Sequence, residues 1–181
     1  MSILFVYPVS SPDLPNKVLT HFEDIASTLA EQGVAFERLQ ASMPVRPGAS
    51  QEEVLGAYRM QVDALMTERG HSAVDVISLN SDHPQKAEHR AGFLKEHHHT
   101  ADEVRLFVAG RGLTTLHIGD LVFAVLCEKN DVISIPAGTG RWFDIGEQPH
   151  LLVIRLFKSL EGSIPVFVDD DIADQFPGLD D

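Results

Sequence analysis

Glu96-His97-His98-His99-Thr100-Ala101-Asp102-Glu103-Val104-Arg105 is the stretch on which the reading of this chain turns. From Glu103 onward, short runs rich in Val, Ile, Leu and Phe alternate with turn signals. These are Ala109-Gly110-Arg111-Gly112, Ile118-Gly119-Asp120, Lys129-Asn130-Asp131, Ala137-Gly138-Thr139-Gly140 and Gly146-Glu147-Gln148-Pro149. Strands at roughly 8–12-residue spacing predict an antiparallel sandwich or barrel. Gly110-Arg111-Gly112 reads as one of its hairpin turns.

On a strand, residues two apart share a face. His97, His99, Glu103 and Arg105 have one parity; His98 and Asp102 have the other. Two imidazoles and a carboxylate converging on a barrel interior form the set that suits non-haem iron and leaves coordination positions open. Fe, Ni, Mn, Co and Zn all accept such donors. The plainer reading of three adjacent histidines is a solvated loop, and the matching parity of Glu103 and Arg105 weighs against it.

Upstream the texture is helical. Residues 16–31 place Val18, Leu19, Phe22, Ile25, Ala26, Leu29 and Ala30 on one helical face, with Gly33 as a stop. Ser50-Gln51-Glu52-Glu53 is a capping-box pattern opening a helix that Gly70 ends. A strand is expected from Val74 to Leu79. Asp82-His83-Pro84 then reads as a cap with proline in the first turn of a helix reaching about Lys95. The opening apolar run, through Tyr7 and Pro8, fits a first or edge strand better than a signal peptide. The Asp-rich tail has room for one short helix ending at Pro177. The expected organisation is one domain over 1–181, mainly β with flanking α-helices: a helical elaboration over about 1–95 and a barrel core over about 96–168.

Composition narrows the partners. Fourteen Lys+Arg against 27 Asp+Glu give a net charge of -13, which repels nucleic-acid backbones and anionic membrane faces. No run of about 18 apolar residues is present to span a bilayer. The lone Cys127 excludes an internal disulfide and suits the reducing cytosol. It falls in a buried-looking strand without a nearby base, which argues against a nucleophile.

His97-x-His99-x3-Glu103-x6-Gly110 matches the first motif of the cupin superfamily, and Asp131-x-Ile133-x-Ile135-Pro136-x-Gly138 resembles the second. More closely, Asp102-Glu103-Val104-Arg105, Leu116-His117-Ile118-Gly119-Asp120, Cys127-Glu128-Lys129-Asn130-Asp131 and Trp142-Phe143-Asp144 resemble the acireductone dioxygenases. Ile154-Arg155-Leu156-Phe157, Glu161-Gly162 and Asp82-His83-Pro84-Gln85-Lys86 extend the resemblance over most of the chain. It implies a cupin-type double-stranded β-helix barrel and a methionine-salvage enzyme acting on 1,2-dihydroxy-3-keto-5-methylthiopentene with O2. With Fe(2+) the products would be formate and 4-methylthio-2-oxobutanoate; with Ni(2+) they would be 3-methylthiopropanoate, formate and carbon monoxide. By position, His97, His99 and Glu103 would be ligands of about one metal ion per chain, and Arg105 would sit beside the substrate anion. The expected state is a cytoplasmic monomer, with the small-molecule substrate and O2 as its partners.

The chain departs from that family at one place. A histidine immediately before Trp-Phe-Asp, the family's fourth ligand, is Arg141 here; a second histidine often found three residues earlier is Gly138. A guanidinium offers no lone pair. A water could complete the shell, or His150 could substitute. Alternatively, the chain could be a diverged, non-catalytic cupin that binds a metal or small anion, with Arg141 pairing Glu103.

Overall fold

Glu103 starts the longest strand of the protein, β6 (Glu103–Ile118), and the rest of the architecture hangs on it. The computed structural model of the chain describes residues 2–39 and 44–181; Met1, at the head of the expected first strand, lies outside them. The first half of β6 pairs antiparallel with β8 (Asp131–Ile135) on one side and β10 (Leu151–Phe157) on the other. Its second half pairs with β7 (Leu121–Glu128) and β9 (Gly140–Asp144). One strand therefore serves both sheets of the barrel.

The switch between sheets falls at Gly110, where a turn was expected. Gly110 has φ 70, and just before it the β6–β10 register shifts: Leu152 pairs with Ala109 and Val153 with Phe107, which leaves Val108 as the extra residue. Together with the bulge at Val108, the left-handed Gly110 bends the strand without reversing it. Its neighbours still find ladder partners, so Ala109-Gly110-Arg111-Gly112 is not a hairpin turn. The other turn signals do turn the chain; Gly119 (φ 60), Asn130 (φ 81) and Gly138 (φ 81) hold left-handed positions there.

The N-terminal half adds strands as well as helices. β1 (Ile3–Pro8) pairs with β7, and β2 (Lys17–Leu19) pairs with β1. The helix predicted over 16–31 is therefore only α1 (Phe22–Ala30); Val18 and Leu19 serve the sheet edge. Tertiary pairing overrides the helical spacing there. β3 (Ala35–Arg38) joins β8, and β4 (Ala73–Leu79) joins β10. The expected single helix after Ser50 is two, α2 (Gln51–Ala57) and α3 (Arg59–Arg69), broken where Tyr58 takes φ -111 and ψ 18. Ser50 Oγ accepts the Glu53 amide at 3.2 Å as the capping pattern requires. Gly70 at φ 70 ends the second helix.

The following helix, α4 (Lys86–Leu94), starts later than Asp82-His83-Pro84 suggested. Asn80 Oδ1 accepts the Asp82 amide and His83 Nδ1 accepts the Gln85 amide, so these residues stabilise a turn. Two further short strands flank the barrel mouth: β5 (His97–His98), beside β9, and β11 (Val166–Phe167), beside β5. The tail helix is one 3-10 turn over Ile172–Gln175.

Three apolar layers result. Between the sheets lie Leu4, Phe107, Leu116, Val125, Ile133, Phe143 and Val153. Outside the β10–β6–β8 sheet, Val54, Tyr58 and Val62 of α2–α3 pack on Val104, Leu106, Ile154 and Leu156. Outside the other sheet, Tyr7, Val122 and Trp142 are covered by Ile172 and Phe176 of the tail. Among the described residues, no helix is long and apolar enough to cross a membrane.

Candidate active site

β5 and the start of β6 bring His97, His99 and Glu103 to one interior wall, although not by the single strand the parity argument assumed. β5 ends at His98, and residues 99–102 form a connection before β6 begins. The imidazoles of His97 and His99 nevertheless face each other edge to plane, with centroids 5.3 Å apart. Each is oriented by its Nδ1. His97 Nδ1–H donates to the Lys95 carbonyl at 2.8 Å, and His99 Nδ1–H to the Gly162 carbonyl at 3.0 Å. A carbonyl can only accept, so both rings are left with an unprotonated Nε2. His99 Nε2 is buried and has no partner. Burial pulls both rings down to a pKa of about 4, so both are neutral near pH 7.

Glu103 is fully buried and accepts hydrogen bonds on both oxygens. Arg105 Nε reaches Oε2 at 2.9 Å and Arg141 Nη1 reaches Oε1 at 2.6 Å. Arg155 Nη1 stands 4.0 Å from Oε2. Burial alone would raise the carboxyl, but the three guanidiniums overcome it and hold Glu103 below the usual carboxylate range. Arg105 also donates to Thr114 Oγ1 at 3.3 Å and lies 4.9 Å above the Phe143 ring. Arg141 sits across from His97 in the β5–β9 pairing. It further donates to the carbonyls of Thr139 at 3.1 Å and Pro136 at 3.2 Å.

A cavity of about 370 Å³ opens onto this wall, lined among others by His97, His99, Arg155, Gly92, Phe93 and Phe167. Arg155, rather than Arg105, is the guanidinium that faces it. Arg155 grips Asp75 of β4 with two hydrogen bonds of 2.8 Å and lies 5.4 Å from the Phe157 ring centroid. Sequence reasoning gave Arg155 no role of its own. The available signal was one charged residue inside the apolar run Leu151-Leu152-Val153-Ile154-Arg155-Leu156-Phe157. Phe167 was missed for a different reason: it lies in the tail, yet its ring comes 5.9 Å from that of His97.

The neighbouring aromatic, thiol and imidazole side chains fall elsewhere. His117 Nδ1 pairs with Glu96 Oε2 at 2.8 Å, a structural contact. Phe107 and Phe143 pack edge to plane below the site, and Trp142 faces the tail. Cys127 is buried and its thiol is pushed up by burial. His150 is exposed and five residues along β10 from Arg155, ~17 Å of strand, so it does not reach the histidine pair.

The imidazole pair fits a divalent ion: two neutral rings, each fixed from behind, present a free Nε2. The carboxylate does not fit as it stands, because both oxygens are committed to arginines. Among the described residues, no three His, Cys, Asp or Glu side chains are grouped to hold a metal ion.

The family model described as the ARD/ARD' family matches residues 5–165. An acireductone dioxygenase of Pseudomonas fluorescens (strain Pf0-1) is 70% identical over 181 residues, the whole of both chains. One from Pseudomonas aeruginosa (strain UCBPP-PA14) is 60% identical over the same full length. Among solved structures, the acireductone dioxygenase from Bacillus anthracis with a cadmium ion in its active centre is 28% identical. It superposes with a TM-score of 0.79, over 92% of this chain and 98% of that one. The cupin-type barrel is the fold they share.

Proposed function

Because the chain belongs to the ARD/ARD' family, we propose that the cavity beside His97 and His99 takes an acireductone, which the chain cleaves with O2 as a dioxygenase. The observation that carries this reading is the charge of the site. Three guanidiniums, Arg105, Arg141 and Arg155, face two carboxylates, Glu103 and Asp75, in a chain whose net charge is -13. A local cation excess inside an acidic protein serves an anion, and an ene-diol flanked by a carbonyl readily becomes one. The full-length relatives named as dioxygenases weigh against a non-catalytic binding module.

The finer proposal is methionine salvage in the cytosol, with 1,2-dihydroxy-3-keto-5-methylthiopentene as substrate. Arg155 receives the anionic oxygens; its bidentate hold on Asp75 fixes the planar fork before substrate arrives. Arg105 acts from behind, keeping Glu103 ionised without lining the cavity. Phe93, Pro165 and Phe167 form an apolar wall for the methylthio tail. Closing that wall over the tail also excludes water from the anionic end.

His97, His99 and Glu103 are the donors for a divalent ion, iron or nickel, once Glu103 is released from Arg141. What such an ion supplies is Lewis-acid polarisation of the ene-diol oxygens.

The test is to load the full chain with Fe(2+) or Ni(2+), add the acireductone under O2, and follow ene-diol absorbance, oxygen and products. One O2 consumed per substrate with formate released is expected. Decay no faster than in buffer overturns the reading.

A further inference from the structure

His97 and His99 each keep an unprotonated Nε2, a donor set that suits a cation, yet the carboxylate beside them is already paired with guanidiniums. Arg141 has a side-chain exposure of 0%, as does Glu103, and their atoms meet at 2.6 Å. Arg141 Nε and Nη2 also donate to the Thr139 and Pro136 carbonyls of the turn before β9, so all three nitrogens are engaged and the guanidinium is built in, not resting there loosely. A buried charge-assisted hydrogen bond of this length is among the stronger contacts a side chain makes. A divalent ion on His97 and His99 would need Glu103, and it would sit beside a fixed positive charge that water cannot screen.

We propose that Arg141 is an internal counter-ion that competes with the divalent metal for Glu103, so that metal enters this chain only by breaking the Arg141–Glu103 pair. The proposal rests on the dioxygenase reading for the nature of the ion alone; the ion pair itself stands on geometry. Two consequences follow. The metal-free chain keeps Glu103 compensated, so removing the Arg141 charge without supplying an ion should weaken the fold. Metal affinity is set by the charge at position 141 as much as by the donors.

The experiment strips the full chain with EDTA and titrates it with Ni(2+) by calorimetry, alongside Arg141→Ala, Arg141→Gln, Arg141→Lys and Arg141→His. Thermal unfolding of each is read in EDTA and in excess Ni(2+). The wild-type protein should bind weakly and unfold at nearly the same temperature with or without the ion. Arg141→Ala and Arg141→Gln should bind at least about 10-fold tighter. Both should be less stable in EDTA and recover with Ni(2+). Arg141→His, which adds a donor, should bind tighter still. Arg141→Lys keeps the charge and should stay near wild type.

If Arg141→Ala does not fold in EDTA, Arg141→Gln decides, because its amide can still donate to Glu103. Neutral variants that bind no tighter than wild type overturn the proposal. So does Arg141→Lys binding as tightly as Arg141→Ala, since the charge would then not be the cause. These outcomes are separate from turnover: a variant that binds Ni(2+) tightly but leaves acireductone and O2 untouched counts against the dioxygenase reading and not against this one.

Discussion

Arg155 of β10 and Asp75 of β4 are directly paired in the strand register, and their side chains form a two-pronged ion pair, Nε to Oδ1 and Nη2 to Oδ2, both at 2.8 Å. The third nitrogen, Nη1, is left facing Glu103 at 4.0 Å, and the side chain borders the cavity. Asp75 thus aims the guanidinium instead of merely neutralising it. Arg155→Ala should lower kcat/KM by roughly 10²-fold or more, the usual effect of removing an electrostatic stabiliser. Arg155→Lys should recover little, because a single ammonium cannot hold Asp75 and the substrate together. An unchanged kcat/KM in the Ala variant would place the anion elsewhere.

Arg105 gives the contrasting pattern. It is 1% exposed, shares Glu103 with Arg141, and packs on Phe143. Removing one partner of a buried ion pair is destabilising by about 3–5 kcal/mol, and the second guanidinium on Glu103 lessens that here. Arg105→Ala should therefore lower the melting temperature by more than Arg155→Ala does. Thermal unfolding of the two variants side by side checks the assignment; the reverse order would mean that Arg105 is the freer of the two.

Gly92 lies inside α4 and borders the cavity, and a Cβ built on it meets nothing within 4 Å. Gly92→Ala should leave activity intact and stabilise the helix by roughly 0.5–1 kcal/mol. Gly92→Leu should intrude on the space next to Phe93 and raise KM for the methylthio substrate. A substrate analogue with a shorter tail should be affected less. Equal loss for both substrates in steady-state kinetics would show that the tail does not lie against α4.

The neutral histidines carry a pH signature in the metal-free chain. Their folded pKa of about 4 lies below the unfolded value, so the unfolded state takes up protons first as pH falls. The stability they contribute is complete above about pH 6.5 and is lost between there and about pH 4. The loss is on the order of 3 kcal/mol per ring at most. Denaturant unfolding in EDTA should show this decline, and the His97→Gln, His99→Gln double variant should show a shallower one. Parallel curves would mean that the rings take up protons as readily folded as unfolded, so that burial does not hold them neutral.

How far the sequence led depends on the range of the forces involved. The Ser50–Glu53 cap and the Gly70 stop were legible because they are settled within one turn of chain. The strands after Glu103 were legible because alternation and turn residues are local too. One failure was set by a distant partner: Lys17–Leu19 is a strand only because β1 lies beside it. The other was local: Asn80 Oδ1 takes the Asp82 amide and His83 Nδ1 the Gln85 amide, which holds a turn where a helix cap was expected. At the site, ligand types were legible, and an Arg141–Glu103 pair was one of the alternatives left open. Their separation by 38 residues does not by itself choose it; the β6–β9 pairing brings the two together. Likewise, Arg105 is buried by Glu103, Thr114 and Phe143, and Arg155 borders the cavity beside Phe93 of α4, contacts made across elements distant in sequence.

Gly110 and Gly119 test the reading of β6 as one bent strand. Both take a positive φ, 70 and 60 respectively, so either substituted by Ala pays the left-handed penalty of about 1–2 kcal/mol. They differ in what surrounds them. Gly119 sits in an open turn where a Cβ meets nothing within 4 Å; at Gly110 a Cβ would overlap the His150 carbonyl oxygen and crowd Leu151. That carbonyl accepts the Arg111 amide, so it cannot move aside without loosening the end of the β6–β10 ladder at Gly110. Gly119→Ala should therefore cost only about 1–2 kcal/mol. Gly110→Ala should cost at least about 3 kcal/mol once overpacking is added to the same penalty. For a chain of this size, each kcal/mol is worth about 2–4 °C of melting temperature, so the two variants should be clearly separated. If they melt together, the Gly110 backbone can relax without cost, and its left-handed conformation is not what carries β6 from one sheet to the other.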